Sequence, residues 1–156
     1  MPHHDRRVRR YEFELTTAGA ASDFHVLRLP FSSGYVVGRK YERTAGSTGG
    51  AVFRGYEETN TDPATNLANK LDMIWADDAS DTDVFPSAAY AYVVQEVPFA
   101  SQSTTYTDTT TYNSVDYEST ASGMDDNAAS DWHMTVGMTT GGAETYTVAI
   151  YLLGER

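Results

Sequence analysis

Apolar and polar residues alternate with a period of two along much of this 156-residue chain. Tyr11, Phe13 and Leu15 interleave with Glu12, Glu14 and Thr16, which predicts a strand with one polar face. Leu27, Leu29 and Phe31 repeat over 24–31, where Pro30 marks an edge or an end. Residues 34–42 predict a third strand using Tyr35, Val37 and Tyr41, and strand character resumes over 51–58. Over 87–99 both parities are apolar. Ala89, Ala91, Val93 and Val97 face one way, and Tyr90, Tyr92 and Val94 the other, which predicts a central strand buried on both sides.

Near the C-terminus Trp132, Met134, Val136 and Met138 alternate, as do Tyr146, Val148, Ile150 and Leu152. A hairpin closed by Gly141, Gly142 and Ala143 brings both sets to one face, with Met138 opposite Tyr146 and Trp132 opposite Leu152. One segment follows a helical period instead. Asp62 and Pro63 supply a cap and a first-turn proline, and Leu67, Leu71 and Ile74 follow at spacings of four and three, with Trp75 widening the stripe. That helix is expected to end near Ala76. About eight short strands without alternating helices predict a mainly β protein, an antiparallel β-sandwich or jelly-roll-like barrel with one short α-helix.

Two stretches fit neither period. Residues 44–50 (TAGSTGG) read as a flexible connector. Over 101–131 the chain is almost wholly Ser, Thr, Asp, Asn, Tyr and small residues, expected to form extended edge strands, a projecting loop or a disordered extension. Residues 1–10 show no apolar period and read as a basic N-terminal arm, leaving 11–156 as a single sandwich domain.

Charge sharpens this picture. Residues 1–54 hold nine basic and five acidic side chains, a net of +4, whereas 55–156 hold two basic and seventeen acidic ones, a net of −15. A cationic end and an anionic body attract copies of the chain or an oppositely charged partner. The net charge of −11 argues against strong nucleic-acid binding by the body. The Lys-poor, Asp-weighted composition is what a high-salt organism uses for solubility. The longest apolar run, 148–153, is too short to span a bilayer, so no membrane role is expected.

Candidate chemistry is sparse. With no cysteine there is no disulfide and no thiolate metal site. Asp77, Asp78, Asp81 and Asp83 cluster, but their spacing does not match a Ca²⁺ loop, and a solvated acidic loop is the better reading. His25 and His133 lack a neighbouring metal or triad motif, and neither a nucleophile elbow nor a phosphate loop occurs. No catalytic, metal or cofactor site is expected, and the chain is read as a non-enzyme.

The basic arm, the short strands, the single helix and the Thr/Gly/Ala/Asp-rich segment together resemble small structural proteins of tailed-virus particles. Capsid decoration or cement proteins and tail-tube proteins are the two types that fit. The resemblance implies a virion subunit, assembled in the host cytoplasm and not secreted, that forms homo-oligomers and docks on other virion proteins such as the major capsid protein. In that setting Arg6, Arg7, Arg9 and Arg10, with Lys40 and Arg43 beside the Gly-rich connector, are expected to meet acidic surface on a neighbour. Eleven tyrosines suit interfaces, and Tyr106, Tyr112 and Tyr117 are expected there. The same three with Trp132 also suit a carbohydrate- or receptor-binding platform.

Overall fold

The computed structural model describes residues 7–29, 31, 33–46, 50–56, 73–87, 89–100, 102–103 and 132–155. Among these lie nine strands: β1 (Val8–Thr17), β2 (Ala21–Leu29), β3 (Ser33–Ala45), β4 (Val52–Tyr56), β5 (Met73–Asp78), β6 (Tyr90–Ala100), β7 (Gln102–Ser103), β8 (Trp132–Thr140) and β9 (Glu144–Glu155). They form two antiparallel sheets, in the orders β1-β9-β3-β6 and β2-β8-β4-β5, with the short β7 beside β8.

The strand order has a simple origin. With β7 set aside, the first strand pairs the last, the second the next to last, the third the sixth, and β4 pairs β5. These nested pairs amount to one long antiparallel hairpin with its turn between β4 and β5. Apart from that turn, each successive main strand lies in the opposite sheet. A hairpin rolled up in this way is a jelly roll.

Alternation supplies the reason for the rolling. Most strands alternate in burial, as β1 does with Tyr11, Phe13 and Leu15, and the two sheets turn their apolar faces toward each other. Tyr41 and Phe53 stack with ring centroids 4.1 Å apart, and Tyr146 meets Phe53 edge-on at 4.9 Å. Each buried ring contributes about 1.5–3 kcal/mol through burial. Gly55 has a steric role here, because a Cβ at that position would lie 2.2 Å from the Trp75 ring.

Four expectations are corrected. The C-terminal apolar sets do not form a hairpin. β8 pairs β2, β4 and β7, whereas β9 lies between β1 and β3, so Gly141, Gly142 and Ala143 carry the chain from one sheet to the other. Met134, Val136 and Met138 from β8 and Tyr146, Val148, Ile150 and Leu152 from β9 still reach the same core, from opposite sides of it. The helix expected to end near Ala76 is overturned at its C-terminal end, where 73–76 belong to β5. The ladder to β4 and the inward Trp75 and Asp77 impose a period of two there. The rest of that expectation, including Leu67 and Leu71, lies outside the described residues, as does 101–131 apart from Gln102 and Ser103.

The strand expected at the centre of a sheet is instead an edge: β6 pairs only β3 among the described residues. Its inward face is buried at Ala91 and Phe99, while its outward Tyr90, Tyr92 and Val94 are exposed. Pro98 and a register shift opposite Val37 suit an edge, where both discourage addition of a further strand. That same irregularity changes the parity of β3. Val36, Arg39 and Tyr41 are buried, and Tyr35 and Val37 are not. β1 begins at Val8, so its first three residues are Val8, Arg9 and Arg10 of the basic N-terminal segment.

Candidate functional site

The outer face of the first sheet can be built row by row from strand registers. One row across the four strands is Glu12, Ala149, Lys40 and Tyr92, and the next is Arg10, Tyr151, Gly38 and Val94. Val8, Leu153, Tyr35 and Pro98 follow on one side, and Glu14, Thr147, Glu42 and Tyr90 on the other. Five large hydrophobics are exposed among the described residues, and four belong to this face: Val8 (54%), Tyr90 (41%), Tyr92 (48%) and Val94 (76%). The fifth is Met73, at the start of β5.

Cations and rings are interleaved on this face. The Arg10 guanidinium lies 6.0 Å from the Tyr151 ring centre, and its Nε donates to the Tyr151 hydroxyl at 3.2 Å. That hydrogen bond is the first cause holding Arg10 above its ordinary value, and Glu12, its ion-pair partner on the same strand, adds to it. Lys40 Nζ sits 5.9 Å from the Tyr90 ring centre, and the Tyr92 and Tyr151 rings are 6.0 Å apart. Gly38 leaves space for Tyr151, whose Cδ2 lies 3.4 Å from where a Cβ would be. Exposed tyrosines mixed with arginine are the composition of interface cores.

Of the residues singled out from the sequence, Arg10 and Lys40 are therefore brought together on one face. Arg7 is exposed just before β1, and Arg9 is half-buried opposite Leu152. Arg43 turns inward, with Nη1 3.6 Å from the buried Glu144 carboxylate. Arg6, Tyr106, Tyr112 and Tyr117 lie outside the described residues. Alternation alone already set Tyr90, Tyr92 and Val94 on one side of their strand. That β1 and β9 continue the same surface needed the strand order.

A second polar cluster lies inside the sandwich. Arg39, 2% exposed, donates through Nε and Nη2 to the two Asp77 oxygens at 2.7 and 3.0 Å, and through Nη2 to Gln95 Oε1 at 3.1 Å. The Tyr41 hydroxyl donates to Asp77 at 2.5 Å and accepts from Trp75 Nε1 at 3.1 Å. Burial alone would lower Arg39, but the hydrogen bond and charge of Asp77 outweigh it and hold the guanidinium above its ordinary value. Burial, with Asp77 adding to it, raises Tyr41 well above the usual phenol range. This cluster floors an aliphatic groove of about 580 Å³ between the β5 and β6 edges, with Ile74, Val84, Val93 and Val97 in its walls.

Three of the four clustered acids, two at the end of β5 and one after it, have structural partners. Asp77 pairs with Arg39, Asp78 accepts from the Ser80 backbone and hydroxyl, and Asp81 accepts from the Asp83 backbone. Among the described residues no group of three or more His, Asp or Glu is arranged to hold a metal, and no helix is long and apolar enough to cross a membrane.

No protein-family model matches the sequence, and no curated protein matches it. Among solved structures, a tobacco necrosis virus chain superposes with a TM-score of 0.31 at 13% identity, covering 97% of each chain. The infectious bursal disease virus VP2 subviral particle gives a TM-score of 0.21 at 10% identity, over 100% of this chain and 44% of that one. The nested strand order, not these superpositions, defines the fold.

Proposed function

We propose that this chain is a non-enzymatic structural subunit of a virus particle, of the capsid decoration or cement type, which self-assembles and docks on neighbouring virion proteins. The observation that carries this reading is the exposed apolar and aromatic surface on one face of a jelly roll, an architecture widely used by capsid domains. Tyr90, Tyr92 and Val94 stand side by side along β6 with Tyr151 beside Tyr92, and tyrosine with arginine is suited to a docking face. The positive N-terminal third and negative remainder add long-range attraction between subunits. A tail-tube or connector subunit uses the same face in a closed ring.

A second reading has one observation in its favour. Jelly rolls also serve as lectins, and Tyr90, Tyr92 and Tyr151 beside Arg10 and Lys40 form a platform on which sugar rings can stack. Light scattering over a concentration series, run beside a glycan array, separates the two. The structural reading predicts a mass that rises with concentration and no saturable glycan binding. A monomer at every concentration that binds glycans, and loses them on Tyr92→Ala, would replace it with the lectin reading.

A further inference from the structure

We infer that the outer face of the first sheet docks on the same face of a second copy, through a twofold axis that crosses the strands between the Tyr92 row and the Val94 row. This rests on the proposed self-assembly and names its contact. The rotation keeps each strand opposite its counterpart and exchanges the two rows, so the rows must complement each other. Along β1, Arg10 falls opposite Glu12 of the second copy, and Glu12 opposite its Arg10. Along β9, Ala149 falls opposite Tyr151; along β3, Lys40 opposite Gly38; along β6, Tyr92 opposite Val94. Opposite charges meet on β1 and the larger Tyr92 meets the smaller Val94 on β6, while Gly38 and Ala149 are already covered within their own copy, Gly38 by Tyr151.

This is the self-complementarity that an isologous interface demands. The alternative in-plane axis, parallel to the strands, places β1 opposite β6. It brings Arg10 onto Val94 and Glu12 onto Tyr92, which leaves both charges without an opposite charge across the interface. Arg10 and Glu12 also pair within one copy. A guanidinium has five N–H donors and a carboxylate about four acceptor sites, so each can serve a second partner across the interface. With the flanking rows, which place Glu14 opposite Val8 and Glu42 opposite Tyr35 at the rim, strand spacings of about 4.8 Å and rises of about 3.4 Å give a footprint on the order of 500 Å² per copy. Two such footprints total about 1,000 Å², the lower bound for a specific interface.

The test uses two single variants of the full chain. Arg10→Glu leaves two acids on this part of β1, and Glu12→Arg leaves two bases. Each alone places like charges across the axis and is expected to weaken self-association at least tenfold by sedimentation equilibrium. An equimolar mixture restores both cross-axis pairs, and mixed dimers are expected with an affinity near that of the wild type. Both variants keep a net negative charge, so overall attraction does not explain a rescue. The chain has no cysteine, so a mixture of Arg10→Cys and Glu12→Cys provides a second measurement. A short bifunctional thiol reagent, able to span sheets packed about 10 Å apart, is expected to cross-link that mixture faster than either variant alone. If the wild type associates but the mixtures show neither rescue nor preferential cross-linking, the twofold is overturned while self-assembly stands. If the wild type is monomeric at every concentration, self-assembly itself is overturned.

Discussion

Asp77→Ala is expected to destabilise the fold by about 3–5 kcal/mol, because it leaves the Arg39 guanidinium buried without its counter-charge. The side chains of both partners are nearly inaccessible, so solvent cannot take over the lost interaction. Tyr41 loses its acceptor as well. Much of this cost arises from leaving a charge unpaired and not from the net strength of the pair. The double variant Arg39→Met/Asp77→Leu is therefore expected to be considerably more stable than Asp77→Ala alone. Urea denaturation of the three proteins checks this. A loss below about 1 kcal/mol for Asp77→Ala would show that the pair can be dissolved without consequence for the core.

Acidification is expected to cost about 3 kcal/mol through His25 alone. His25 is buried on β2 and stacks on Phe13, with ring centroids 4.4 Å apart and planes within 8°. Burial pushes its pKa from an ordinary 6.5 down to about 4, so the folded protein holds it neutral. As pH falls below 6.5 the unfolded chain takes up the proton first. The His25 contribution is thus fully present above pH 6.5 and is lost progressively down to about pH 4. Comparing unfolding free energies at pH 7 and pH 4.5 for wild type and His25→Phe isolates it from the carboxylates, which both proteins share. The variant is expected to lose less stability on acidification than the wild type. Equal losses would contradict the assignment to His25.

Alternation is a local signal, and what it revealed is local. β1, β2, β4 and the inward apolar sets of β8 and β9 are legible from alternation, whereas the register shift at Val37 hides the parity of β3. The connection between β8 and β9 was not legible in the same way. Two alternating apolar sets joined by a three-residue loop can pair side by side or face each other across a core, and only the competition for both edges of β9 decides between them. The helical spacing of Leu67, Leu71 and Ile74 draws Trp75 into a helix, although the end of that segment pairs with β4. A sequence clue to the buried network did exist. Arg39 shares the parity of Tyr41, and an inward cation demands an anion somewhere in the chain. The exposed face was half legible, since Tyr90, Tyr92 and Val94 were placed together; its extension over Tyr151 and Arg10 depends on long-range pairing.

The proposed assembly surface is the outer face of the first sheet. Sedimentation velocity of the wild type against Tyr92→Glu/Val94→Glu tests it most directly, because both side chains are largely exposed and their replacement leaves the core intact. The expected result is a wild type whose sedimentation coefficient rises with concentration. The variant, with its unfolding free energy unchanged, is expected to bind itself at least tenfold more weakly, a loss of about 1.4 kcal/mol or more in association free energy. A variant that associates as tightly as the wild type would contradict the claim.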